Sequence, residues 1–286
     1  MSVHDIVEAE TLRFGTGGVP LSSPKRDSIA GIQRLRELKL DCMELEFVQR
    51  VGMGPETAAA VRAVAEEMDV ALSVHAPYYI NFNSGEPEKV EASKERLLAA
   101  ARVGALCGAR NIAFHPAFYH DDPPEVVYKR VKTILMELVD ILRTEGVNAC
   151  LRPETTGKAS QFGSLEEILR LSVEIRGVLP CVDFSHLHAR SVGAYNRYEE
   201  FAALLEQMRA ALGPAVLHDM HCHVQGIGYT DKGEQEHLPL EDSDFDYKAL
   251  LRAFRDYGVK GLVVCESPNL EKDAVKLQRA YRRLAA

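Results

Sequence analysis

The strongest constraint on this chain is an alternation. Short apolar runs and longer segments with helical spacing follow one another about eight times. The runs are Thr11–Gly15, Cys42–Phe47, Val70–His75, Asn111–His115, Asn148–Glu154, Val178–Asp183, Ala215–His223 and Lys260–Glu266. The helical segments are Ser28–Leu38, Pro55–Met68, Pro87–Leu106, Pro124–Arg143, Leu165–Ile175, Tyr198–Leu212, Phe245–Tyr257 and Leu270–Leu284. Brief apolar runs suit strands of a parallel sheet covered on both faces. Eight strand–helix units predict an α/β chain closed into a (β/α)₈ TIM barrel, one domain over residues 1–286. A doubly wound open sheet would carry a G-x-G-x-x-G phosphate loop after its first strand. Gly15-Thr16-Gly17-Gly18 is Gly-rich without that spacing. With 46% hydrophobic residues, the chain can fill such a core.

In a barrel the active site forms where strands end. The second run ends near Glu44 and Glu46, the third at His75 and the fourth at His115. The fifth ends at Glu154, the sixth at Asp183 with His186 and His188 just beyond, the seventh in Met220-His221-Cys222-His223, and the eighth at Glu266. A lone histidine or carboxylate at a strand end is usually a hydrogen-bonded structural group. Recurrence at the six consecutive ends from the third to the eighth points to a metal site. Several histidines with several carboxylates suit Zn²⁺, Mn²⁺ or Fe²⁺; Mg²⁺ and Ca²⁺ favour oxygen alone. The donors outnumber the needs of one ion, and two- or three-ion sites suit in-line displacement at phosphorus. The longest irregular stretch, Val224–Asp244, follows the seventh run, where loops of that length are usually functional.

The formal charge is −8, from 34 Lys and Arg against 42 Asp and Glu, which argues against a general nucleic-acid coat. It leaves room for an enzyme whose ions supply the local positive field. The six cysteines (42, 107, 150, 181, 222 and 265) form no C-x-x-C pair and read as small core residues of a reducing compartment. The first ten residues carry His4, Asp5, Glu8 and Glu10, and no apolar run approaches the roughly 18 residues of a membrane span. The expected location is the cytoplasm, with no membrane partner.

Taken together, the H-x-x-Y-x-x-N element at His75, Tyr78 and Asn81, with His115, Glu154, Asp183, His186, His221, His237 and Glu266, resembles the endonuclease IV family. The resemblance runs over essentially the whole chain. It implies a TIM barrel with a trinuclear zinc cluster, Mn²⁺ or Fe²⁺ being the other candidates. His75, His115 and Glu154 would hold the first ion. Glu154 would bridge to the second, completed by Asp183, His221 and Glu266, with Glu154 and Glu266 as the catalytic residues. His186 and His237 would hold the third. The implied reaction is hydrolysis of the DNA phosphodiester 5′ to an abasic site, by a monomer acting on duplex DNA in base-excision repair. Tyr78 and Asn81 would contact the DNA backbone, and Gln49-Arg50 would enter the duplex at the missing base.

Two positions depart from the family pattern. The family's third-ion motif is Asp-x-His, and here Gln235 stands at the Asp position. Glu234 and Glu236 flank it, but in an extended segment both point away from the Gln235 side. Without a local bend the third ion would be weakly held. His221 matches the motif after Met220, and His223 shares its strand face as an alternate ligand. The rival function is a sugar isomerase or epimerase with one divalent ion on Glu154, Asp183, His221 and Glu266.

Overall fold

The computed structural model describes residues 6–285. Eight parallel strands carry the architecture: β1 (Leu12–Gly17), β2 (Cys42–Glu46), β3 (Ala71–His75), β4 (Asn111–Phe114), β5 (Cys150–Pro153), β6 (Val182–Asp183), β7 (Met220–His223) and β8 (Gly261–Cys265). They pair in the order β5-β4-β3-β2-β1-β8-β7-β6. The ring closes through parallel bridges Leu151↔Val178 and Glu154↔Cys181. At that seam Cys181 N–H donates to Pro153 O and Thr155 N–H to Cys181 O, each at 3.1 Å. The sixth run is expected over Val178–Asp183, yet only its last two residues form a regular ladder. Pro180 interrupts the rest because it has no N–H to donate.

The alternation of the sequence therefore becomes a (β/α)₈ barrel. Pro55, Pro87 and Pro124 open their helices at first-turn positions, where the missing N–H costs nothing. Asp27 caps the helix Ser28–Glu37 by accepting from Ala30 N–H at 2.9 Å. Ser164 and Glu167 form a capping box at Leu165–Glu174. Apolar faces of the helices and of the strands merge into one continuous core. At Gly15 an added Cβ would lie 1.6 Å from the Cys42 carbonyl oxygen, so β1 can approach β2 only without a side chain there.

Three features differ from the expected pattern. Pro214–His218 is a 3₁₀ turn, so the seventh strand starts only at Met220. A short helix, Phe184–Arg190, follows β6 directly. The irregular stretch after β7 contains an antiparallel hairpin, Gly226–Thr230 with Gly233–Leu238. Among the described residues no helix is long and apolar enough to cross a membrane.

Candidate metal centre

Register decides which donors meet. In β6–β7 Asp183 pairs with His223, and in β7–β8 Val264 pairs with His223, so His223 stands level with Asp183 just below Glu266. His221 pairs with Leu262, two residues and roughly 6.6 Å deeper in the barrel. Both point inward by alternation, and only His223 reaches the rim. Its Nδ1 lies 3.2 Å from Glu154 Oε1 and 3.4 Å from Glu266 Oε1. The donor atoms of Glu154, Asp183, His223 and Glu266 form one group, each within 4.8 Å of the others. The histidine that stands in this donor group is His223, where His221 is expected.

Glu154 is the hinge of the centre. It is fully buried at the end of β5, and its two oxygens look in opposite directions. Oε2 lies 3.1 Å from His75 Nε2 and 3.5 Å from His115 Nε2. Oε1 faces His223 Nδ1 and His186 Nδ1, both at 3.2 Å. Donors bound to one ion at about 2.0–2.2 Å stand roughly 2.8–3.6 Å apart, as the angle at the ion goes from 90° to tetrahedral. The spacings from Oε2 to His75 and His115 and from Oε1 to His223 fall in that range, and the carboxylate is placed to serve two neighbouring ions. Burial pushes the Glu154 pKa up, but His115, His223 and His186 outweigh it and hold the group well below the usual carboxylate range.

Backbone carbonyls fix the histidine tautomers. His75 Nδ1–H donates to Ala76 O at 2.8 Å, His186 Nδ1–H to Thr155 O at 3.1 Å, and His237 Nδ1–H to Glu266 O at 3.3 Å. A carbonyl can only accept, so Nε2 of each ring is the nitrogen that turns to a ligand, once any proton on it has left. Asp183 has a double role. Its Oδ1 caps the short helix by accepting from His186 N–H at 2.7 Å, and its Oδ2 accepts from Gln225 Nε2 at 2.6 Å. Burial raises the Asp183 pKa to about 6.

The third group is His186, Glu234 and His237. The two Nε2 atoms lie 3.3 Å apart, and each stands 3.7 Å from a Glu234 oxygen. A β-bulge makes this possible. Gly228 pairs with Glu236 and Tyr229 with Glu234, so Gln235 is the extra residue of its strand. The bulge breaks alternation and turns Glu234 to the face that carries His237. The local bend is present, and it brings the Glu234 carboxylate into the group with His186 and His237. Gly157 braces the bend, its carbonyl accepting from Glu234 N–H at 2.9 Å.

Other predicted residues have different surroundings. Tyr78 is 53% exposed, with its ring centroid 5.4 Å from that of His75. Asn81 is a brace between loops: its side-chain oxygen accepts from Asn83 N–H at 3.1 Å and Phe118 N–H at 3.3 Å. Arg50 is exposed after β2. His188 is buried away from the centre, bonded to Tyr195 O and Asp244 Oδ1, both at 3.0 Å. Gln225 escaped sequence reasoning, since a lone glutamine after a strand carries no signal of its own.

A family model described as a xylose isomerase-like TIM barrel matches residues 32–284. The chain belongs to the xylose isomerase-like TIM-barrel family. Within that family, the chain is 45% identical over 273 residues to an uncharacterized protein of Methanocaldococcus jannaschii, spanning 96% of this chain and 98% of the relative. It is 26% identical over 222 residues to the probable endonuclease 4 of Bacillus subtilis, spanning 74% of this chain and 71% of the relative. Among solved structures, a D-tagatose 3-epimerase-like protein superposes with a TM-score of 0.71 at 18% identity, covering 94% of this chain and 97% of its own. Endonuclease IV from Thermus thermophilus gives 0.70 at 21%, covering 94% and 98%. These two similarities show the shared barrel and do not choose between the chemistries.

Proposed function

We propose that the chain is a metal-dependent phosphodiesterase acting on duplex DNA, cleaving 5′ to an abasic site. The observation that carries the reading is the third donor group, His186, Glu234 and His237, beside the set centred on Glu154. Chemistry at a sugar carbon with one divalent ion needs only Glu154, Asp183, His223 and Glu266. It leaves His75, His115 and the hairpin pair Glu234–His237 without a task. Two to three ions sharing Glu154 account for all of them. Zinc fits this imidazole and carboxylate set best, with Mn²⁺ and Fe²⁺ as the neighbouring choices.

Ions held here would lower the pKa of water and neutralise phosphate oxygens. In the hydrolysis, a P–O bond forms to the water oxygen, the P–O3′ bond breaks, and a proton ends on the 3′-oxygen. Glu154 lies between the two halves of the centre and orients the attacking water. Glu266, partly exposed at the mouth, faces the departing group. Tyr78 presents its ring to the opening beside His75 and His115, in position to contact the DNA backbone. The net charge of −8 leaves the centre itself as the main source of attraction for phosphate.

A second reading has one observation in its favour: Glu154, Asp183, His223 and Glu266 are a complete donor set for a single-ion ketose epimerase. One experiment separates the two. A duplex with a single abasic-site analogue is incubated with metal-replete protein, with and without chelator, alongside a panel of ketoses. Chelator-sensitive cleavage 5′ to the analogue supports the proposal. An intact duplex with an epimerised ketose refutes it.

A further inference from the structure

Below the rim centre lies a second group of donors that the phosphodiesterase reading does not use. Cys181, His221 and His223 offer ligand atoms within 4.8 Å of one another, and all three are fully buried. Glu44, also fully buried, lies beside the two histidines from β2, its own donor group being the one with Glu46 and Glu266. Its oxygens lie 2.8 Å from His221 Nε2 and 2.8 Å from His223 Nε2, off the line that an N–H···O bond requires. Both ring nitrogens of His221, Nε2 of His223 and one oxygen of Glu44 consequently make no hydrogen bond. The other Glu44 oxygen accepts from Ser73 Oγ at 2.6 Å.

Orphaned polar atoms at full burial are costly, about 1–3 kcal/mol each, and a cluster of them in one place calls for a missing partner. Water would find a thiol and two imidazoles crowded around one carboxylate. A divalent ion fits the same donors better. The Cys181 thiolate and the neighbouring Glu44 carboxylate offset its charge in a medium that penalises net charge. Cysteine and histidine are ordinary ligands of structural zinc, and a donor group buried this deeply is closed to substrate.

We propose that Cys181, His221 and His223 hold a zinc-type ion inside the barrel, distinct from the rim centre. Binding releases the Cys181 thiol proton and any imidazolium proton to solvent. Because Nδ1 of His223 faces Glu154 and Glu266, one ring then joins the two sites, giving up its last ring proton when both are filled. The inner ion fixes that ring, and its role is to position His223 rather than to touch substrate.

Cobalt tests this without reference to DNA cleavage, since no cysteine lies in any of the rim donor groups. The full chain is stripped with chelator and reloaded with Co²⁺. A near-ultraviolet thiolate-to-cobalt charge-transfer band is expected in the wild type. It should vanish in Cys181→Ser and persist in Cys222→Ser, whose sulfur belongs to the neighbouring hydrophobic core. Elemental analysis should find one ion fewer per chain in Cys181→Ser. Should that variant not fold, cadmium NMR of the wild type must still show a sulfur-ligated resonance. No band and no such resonance, or a band unchanged by Cys181→Ser, would overturn the inner site while leaving the rim proposal standing.

Discussion

Gly157 lets the third donor group be tested without touching a ligand. An added Cβ at this position would meet Glu234 Cβ and Oε2 at 2.5 Å, and Cδ at 3.1 Å. Carbon atoms settle at about 3.5 Å or more, so Glu234 would have to move by roughly 1 Å. The clash includes Cβ, so rotating the end of the side chain does not relieve it, and the hairpin backbone must shift. Metal–ligand distances tolerate about 0.2 Å. Gly157→Ala should therefore weaken the third site as loss of a supporting partner does, about 10–100-fold or roughly 1.4–2.8 kcal/mol. Elemental analysis across a graded chelator series, with the melting temperature as a control, reads the effect. The expected result is earlier loss of one ion, with the others and the melting temperature unchanged. Curves for variant and wild type that overlap within about threefold, under ~0.7 kcal/mol, would refute the bulge-built carboxylate.

Other outcomes follow from the same geometry. Glu154→Gln should keep the fold and lose cleavage by several orders of magnitude; activity within about tenfold of wild type, ~1.4 kcal/mol, would remove Glu154 from the reaction. His223→Gln should lose a rim ion and activity together, and retention of both would restore His221 as the ligand. Without metal, burial lowers the His75 pKa, but Glu154 and Glu46 outweigh this and raise it to about 10. Its imidazole is thus protonated at neutral pH, so an incoming ion must displace that proton and affinity should fall as pH falls. Calorimetric titration in buffers of different ionisation heat would check this, and the absence of proton release at pH 7 would contradict it. Asp244→Asn, which weakens the His188 contact, should cost about 1–3 kcal/mol of stability with no change in metal content; a lost ion would instead tie His188 to the centre.

The barrel and its rim of donors were legible because their signals are local. A strand or helix writes its period into adjacent residues, and an acid or histidine at the end of an apolar run can be read without knowing its neighbours. That is why His75, His115, Glu154, Asp183, His186 and Glu266 could be named as one set, and why His188 beside Asp183 could not be told from a ligand. Its partner Asp244 is 56 residues away. The choice between His221 and His223 was likewise beyond the sequence. Both face inward, and depth in the barrel comes from the stagger of β7 against β6 and β8, a property of pairing rather than of the strand. Glu234 lay on the wrong side of its strand by alternation. Only the hairpin's register, with Gln235 left over as a bulge, turned it toward His237. Composition and period determined which groups gather at the mouth; hydrogen-bond register between distant segments decided which of them share an ion.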